Sequence, residues 1–119
     1  MSLSNQLGRD GEDLAVQYLL KNGYQILERN YRYRKAEIDI IALKNETLAV
    51  VEVKSRTSSY FGAPESFVSP KKIKLLVMAT DHYVISNNLS VTVRFDIISI
   101  LKDKKVSNIQ HIEDAFYFF

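Results

Sequence analysis

Apolar side chains at Leu7, Leu14, Ala15, Tyr18 and Leu19 recur at the spacing of one helical face and predict a first helix over about 4–22. Asn22-Gly23 is a natural stop for it. From Tyr24 onward the pattern shifts to β-branched and aromatic residues, predicting strands near 24–28 with 30–34, then 37–43, then 47–54. Ser69-Pro70 joins an N-cap to a first-turn proline. Ile73, Leu76, Val77, Thr80, Tyr83 and Val84 then repeat helically until Ser86-Asn87-Asn88. Residues 91–101 read as a strand that is apolar on both faces after Arg94. A turn over 102–105 leads to a short strand from Val106 to about Ile109, and Ala115-Phe116-Tyr117-Phe118-Phe119 forms an aromatic tail. The order is α-β-β-β-α-β plus a hairpin, which predicts an α/β fold with a mixed central sheet flanked by helices.

The segments Glu37-Ile38-Asp39-Ile40-Ile41-Ala42-Leu43 and Leu48-Ala49-Val50-Val51-Glu52-Val53-Lys54 are apolar on both faces, as central strands are, yet each carries charge near one end. A two-residue turn at Asn45-Glu46 pairs Lys44 with Thr47, and the register then sets Ile41 against Val50, Asp39 against Glu52 and Glu37 against Lys54. Period two places Asp39, Glu52 and Lys54 on one face. Opposed like charges destabilise a sheet, so something must offset the repulsion. A shared proton, the Lys54 ammonium and a divalent cation are three ways to do it. Spacing alone leaves open a strand-end ion-pair cluster or a cation site. Glu12, in helical projection, falls at the edge of the first helix's apolar stripe, and Gly8 and Gly11 on its inward half suit close approach to a sheet.

Composition narrows the chemistry. A chain of 119 residues allows one domain spanning 1–119, and 46% hydrophobic with 25% charged content excludes disorder as the main state. No apolar run is long enough to span a bilayer and the N-terminus is too polar for a secretory signal, so a soluble, cytoplasmic protein without a membrane partner is expected. Zero cysteines exclude disulfide scaffolds, thiol nucleophiles and zinc fingers, leaving oxygen and histidine ligands; His82 and His111 lie far from the acids in sequence, so the set suits Mg²⁺ or Mn²⁺. The net charge is only +2, but basic residues cluster at Arg29, Arg32, Arg34 and Lys35, at Lys71, Lys72 and Lys74, and at Lys102, Lys104 and Lys105. Lysines in the first turn of a helix oppose its macrodipole unless an anion occupies that end. About 15 residues between Ser55 and Ser69 lack periodicity, a length common in functional loops. Tyr60, Phe61 and Phe67 there either stack on bases or anchor the loop.

Gly8-Arg9-Asp10-Gly11-Glu12, Gly23-Tyr24-Gln25-Ile26-Leu27, Asn30-Tyr31-Arg32, Glu37-Ile38-Asp39, Val51-Glu52-Val53-Lys54-Ser55-Arg56 and Arg94-Phe95-Asp96 together resemble the YraN family of small bacterial proteins. That family is similar to the restriction-endonuclease-like PD-(D/E)XK nucleases, and within them to archaeal Holliday junction resolvases. The resemblance implies the α-β-β-β-α-β core, with Asp39 as the motif's first acid, Glu52-Val53-Lys54 at its (D/E)XK step and Glu12 at the helix-one glutamate of the resolvase branch. Ile38 stands in place of the motif's proline, and Ala36 where such sequences usually show glycine.

The resemblance implies a metal-dependent endonuclease hydrolysing phosphodiester bonds in structured, branched DNA. Catalytic residues are then Asp39, Glu52, Lys54 and Glu12, with Asp39, Glu52 and Glu12 holding Mg²⁺ (or Mn²⁺) and Lys54 acting on water or on transition-state charge. Arg32, Arg34, Lys35, Arg56, Lys71 and Lys72 would contact DNA, and a homodimer is the form in which resolvase-like relatives act. The alternative is a catalytically inactive DNA-binding module on a nuclease fold.

Overall fold

The structure is a computed structural model, and it describes residues 3–57, 68–103 and 106–116. The aromatic loop residues Tyr60, Phe61 and Phe67, Lys104, Lys105, and the tail residues Tyr117, Phe118 and Phe119 lie outside the described residues. The elements are α1 (Leu3–Lys21), β1 (Gln25–Tyr33), β2 (Ala36–Lys44), β3 (Thr47–Arg56), α2 (Pro70–Ser86), β4 (Thr92–Asp103) and β5 (Val106–Ile112). They form one five-stranded sheet in the order β1-β2-β3-β4-β5. Among the described strands only β3 and β4 run parallel, and the chain between them carries α2. This is the expected mixed sheet flanked by helices. No helix among the described residues is long and apolar enough to cross a membrane.

Local chemistry accounts for the element ends. Gly23 adopts φ 87°, and the Tyr24 amide donates to the Leu19 carbonyl at 3.0 Å, closing α1 with a left-handed cap. The Ser69 hydroxyl accepts from the Lys72 amide at 3.2 Å and Pro70 opens α2, as the Ser-Pro pair predicts. Asn45 takes φ 55° in the two-residue turn, which sets Lys44 against Thr47 and Ile41 against Val50 as expected. Ala36 needs no glycine-like backbone, because the positive φ of the preceding turn falls on Arg34, at 56°.

The sheet divides the core in two. On one face Leu48, Val50 and Ile97 pack with Leu76, Ala79 and Tyr83 of α2; on the other Ala42, Ala49, Val51, Ile98 and Ile100 pack with Ala15 and Leu19 of α1. Alternation breaks at one place. Ile40 faces α1, whereas Ile38 and Ile41 both face α2, so β2 changes face at Asp39. Its neighbour β1 does the same at Asn30, which has φ 54°: Arg29 reaches α1, whereas Tyr31 packs edge-on to Tyr83 of α2 at 5.1 Å. In β1 strict period two fails because the left-handed Asn30 turns the strand over, and β2 follows it in register, Arg29 opposite Ile40 and Tyr31 opposite Ile38.

Gly11 explains how closely α1 approaches the sheet. A Cβ built there would lie 1.7 Å from the Ser55 hydroxyl oxygen and 3.0 Å from the Ser55 Cβ. Gly11→Ala is therefore expected to cost about 1–3 kcal/mol by overpacking, outweighing the ~1 kcal/mol helix-propensity gain. In a Ser55→Ala background the loss should shrink, because the closest clash disappears. Urea unfolding of the two single variants and the double variant checks this. The surroundings of the Gly8 side lie outside the described residues.

Candidate active site

The β2–β3 ladder runs from Lys44–Thr47 to Ile40–Val51, and there the strands part. Beyond that point Asp39 does not continue the ladder with its backbone. Its Oδ2 instead accepts a hydrogen bond from the Val53 amide at 2.8 Å. The face change aims the carboxylate along the sheet toward β3. Glu37, predicted to face Lys54, follows β1 instead and pairs with Arg32, Oε2 to Nη2, at 3.4 Å. The expected register thus holds as far as Ile40, and divergence of the strands overrides it afterward.

Glu52 and Lys54 come from β3, held by its ten-residue parallel pairing with β4. The Glu52 side chain is 5% exposed. Its Oε1 forms an ion pair with the Lys54 ammonium at 3.7 Å and a shorter one with the ammonium of Lys72, which reaches across from α2. Its Oε2 is buried without a hydrogen-bond partner among the described residues. Burial, then repulsion from Glu52, pushes the Asp39 carboxyl up to about 7, with a smaller push from Glu12; the Val53 amide and the Lys72 ammonium oppose the rise.

That shift has a defined sign. Folded Asp39 holds its proton above the ordinary value of 3.8, so its favourable contribution is present below that value and lost as pH rises toward 7. With chelator present, urea unfolding is expected to show stability falling between about pH 4 and about pH 7, and Asp39→Asn should flatten the decline.

Glu12 stands on α1, 14% exposed, where its Oε1 accepts from Arg29 Nε at 3.2 Å and Asn30 Nδ2 at 3.0 Å. Among the described residues no group of three His, Cys, Asp or Glu side chains is placed to hold a metal ion. The close acidic pair is Asp39 with Glu52. Two carboxylates with a buried oxygen lacking a partner nevertheless fit one hard divalent ion, which takes oxygen ligands and keeps several waters.

Beside the pair lies a cleft of about 400 Å³, lined by Lys35, Glu37, Asp39, Ser69, Lys71 and Lys72. The predicted basic residues divide by place. Lys35, Lys71 and Lys72 border the cleft; Arg34 lies over the Tyr33 ring at 5.3 Å, and Arg32 is tied to Glu37. Arg56 donates from Nη2 to the Ser99 hydroxyl at 3.4 Å.

Sequence reasoning did not find a second charged network, on the α1 side of β4. Asp96 is fully buried and takes a bidentate fork from Arg94, with Nη2 to Oδ2 at 2.8 Å and Nε to Oδ1 at 2.9 Å. His111 Nε2 lies 2.8 Å from Oδ2, and the Asp114 amide donates to Oδ1 at 3.2 Å. The Tyr24 hydroxyl accepts from Arg94 at 2.6 Å, and the Tyr18 hydroxyl lies 3.2 Å from His111 Nδ1. Burial alone would raise the Asp96 carboxyl, but the His111 and Arg94 hydrogen bonds outweigh it and hold the group below the usual range. The Arg-X-Asp spacing on a strand was a usable signal, since it puts both side chains on one face.

The molecule is thus a mixed α/β sheet protein with an Asp…Glu-X-Lys constellation where two strands separate. The chain belongs to the uncharacterised protein family UPF0102, whose profile matches residues 11–100. It is 56% identical over 119 residues to UPF0102 protein FP2501 of Flavobacterium psychrophilum, covering all of both chains. It is 54% identical over 119 residues to a UPF0102 protein of Christiangramia forsetii, again covering all of both. Among solved structures, the Holliday junction resolvase Hjc of Archaeoglobus fulgidus aligns at 20% identity and a TM-score of 0.49, over 88% of this chain and 73% of that one.

Proposed function

We propose that the protein is a divalent-metal-dependent endonuclease that hydrolyses phosphodiester bonds in structured DNA, branched DNA being its preferred form. The carrying observation is the buried Asp39–Glu52 pair at the parting of β2 and β3, with Lys54 alongside and Glu52 Oε2 unpartnered among the described residues. Asp39 and Glu52 would hold Mg²⁺ or Mn²⁺, and Glu12 would join them on release from Arg29 and Asn30. The chemistry supplied by such an ion is neutralisation of phosphate charge and activation of water.

The chain's own groups do the rest. Lys54 places a positive charge 3.7 Å from the Glu52 carboxylate, where it orients water and stabilises charge developing on the phosphoryl oxygens. The Val53 amide fixes the direction of the Asp39 carboxylate. Lys35, Lys71 and Lys72 line the cleft in which a sugar–phosphate backbone would lie, with Arg32, Arg34 and Arg56 extending the basic footing.

Incubating pure protein with four-way-junction, flap and single-stranded DNA in Mg²⁺ or Mn²⁺ tests the reading. Metal-dependent cleavage of the junction above the linear controls is expected, and absence of cleavage in both metals sinks it. The engagement of Glu52 by Lys72 and of Glu12 by Arg29 favours a second reading, a DNA-binding module without catalysis. It predicts salt-sensitive binding with no cleavage and no heat on metal titration.

A further inference from the structure

We propose that Lys72 holds the metal position of this site while DNA is absent and yields it when substrate arrives, its ammonium passing from Glu52 to a backbone phosphate. The inference rests on the nuclease reading and concerns how that same site is regulated.

Three observations carry it. First, Glu52 is nine-tenths buried or more, and one of its oxygens accepts from the Lys72 ammonium and faces that of Lys54, while the other has no partner among the described residues. Two carboxylates facing two ammoniums give a site that is neutral overall when all four are charged. A divalent ion added to it meets like charge at contact distance, so one ammonium must leave.

Second, the two lysines differ in their freedom to leave. Lys54 is two residues from Glu52 on the same strand, within the parallel ladder, and its side chain is 23% exposed. Lys72 reaches in from another element, is 38% exposed, and already borders the cleft. Its flexible four-carbon stem allows the head to swing while the backbone stays pinned by the Ser69 cap.

Third, the place it would swing to lacks a protein partner of opposite charge on its own helix turn. The first turn of α2 contains no acidic residue, while Lys71 and Lys72 there oppose the macrodipole. A phosphate at that end satisfies the helix N-terminus and the displaced ammonium together. Metal and DNA should therefore assist each other's binding, with Lys72 as the link.

The test compares the native protein with Lys72→Met and Lys72→Arg. Mn²⁺ titration calorimetry without DNA should show Lys72→Met binding Mn²⁺ at least about tenfold more tightly than the native chain, with Lys72→Arg close to native. With Ca²⁺ present, a labelled four-way junction should bind Lys72→Met more weakly, and the slope of log affinity against log salt should fall by about 1. Equal or weaker Mn²⁺ binding by Lys72→Met, or an unchanged salt slope, overturns the inference. If native protein takes up Mn²⁺ and Lys72→Met binds it no more tightly, the Lys72 exchange falls and the nuclease reading stands. If neither takes up Mn²⁺, both fall. Lys72→Gln, which keeps a polar head against Glu52, gives the same comparison should the methionine variant fold poorly.

Discussion

Asp39→Asn and Glu52→Gln are each expected to lower metal-dependent junction cleavage by about 10³-fold or more, a loss of roughly 4 kcal/mol of transition-state stabilisation, yet to move stability in opposite directions. The asparagine keeps an oxygen to accept from the Val53 amide while removing a charge that burial and Glu52 both disfavour. Its melting temperature without divalent ions should rise by about 4–8 °C, the shift of ~1 kcal/mol in a domain near this size. Glu52→Gln removes the anion that both Lys54 and Lys72 face and should lower the melting temperature by a similar amount. Calorimetric melts beside gel assays read both effects. Cleavage that persists in either variant places the chemistry elsewhere, and a drop in melting temperature for Asp39→Asn contradicts the repulsion.

The larger stability effect lies away from the cleft. Asp96→Ala should cost about 3–5 kcal/mol, because it strands the Arg94 guanidinium, most of His111 and the Asp114 amide without their common acceptor. Against a typical total of about 5–15 kcal/mol, that is enough to leave a large unfolded fraction on mild warming. Replacing Arg94 and Asp96 together by Met and Leu should cost less than the single change, since no guanidinium is then left unpaired. The pH dependence runs opposite to that of Asp39. The folded Asp96 carboxyl sits below its ordinary value of 3.8, so its stabilisation is present above that range and lost as pH falls through the folded value. Urea melts at neutral and acidic pH distinguish the two groups.

Much of this architecture was legible residue by residue. The helical stripe of Ala15 and Leu19, the Ser69-Pro70 start and the Asn45-Glu46 turn are local signals, and the structure follows them because no tertiary contact opposes them. The turn register brought Asp39 and Glu52 together on paper. The parting of the strands was not legible, because beyond Ile40 β2 stays with β1 while the Asp39 side chain, not its backbone, meets β3 at the Val53 amide. Lys72 was read as a phosphate contact at a helix start, and its reach to Glu52 needed the distance between α2 and β3. His111 went unassigned for the same reason. Its partner Asp96 lies fifteen residues back, across the β4–β5 hairpin.

The irregularity of β1 has a further result at the rim of the sheet. As an outermost strand it offers backbone groups to any passing chain. A register shift between Ile26 and Glu28, the turned-over Asn30, and arginines at 29 and 32 interrupt that offer every few residues. The broken edge thus makes this margin a poor template for intermolecular strand addition, guarding the molecule against edge-to-edge association.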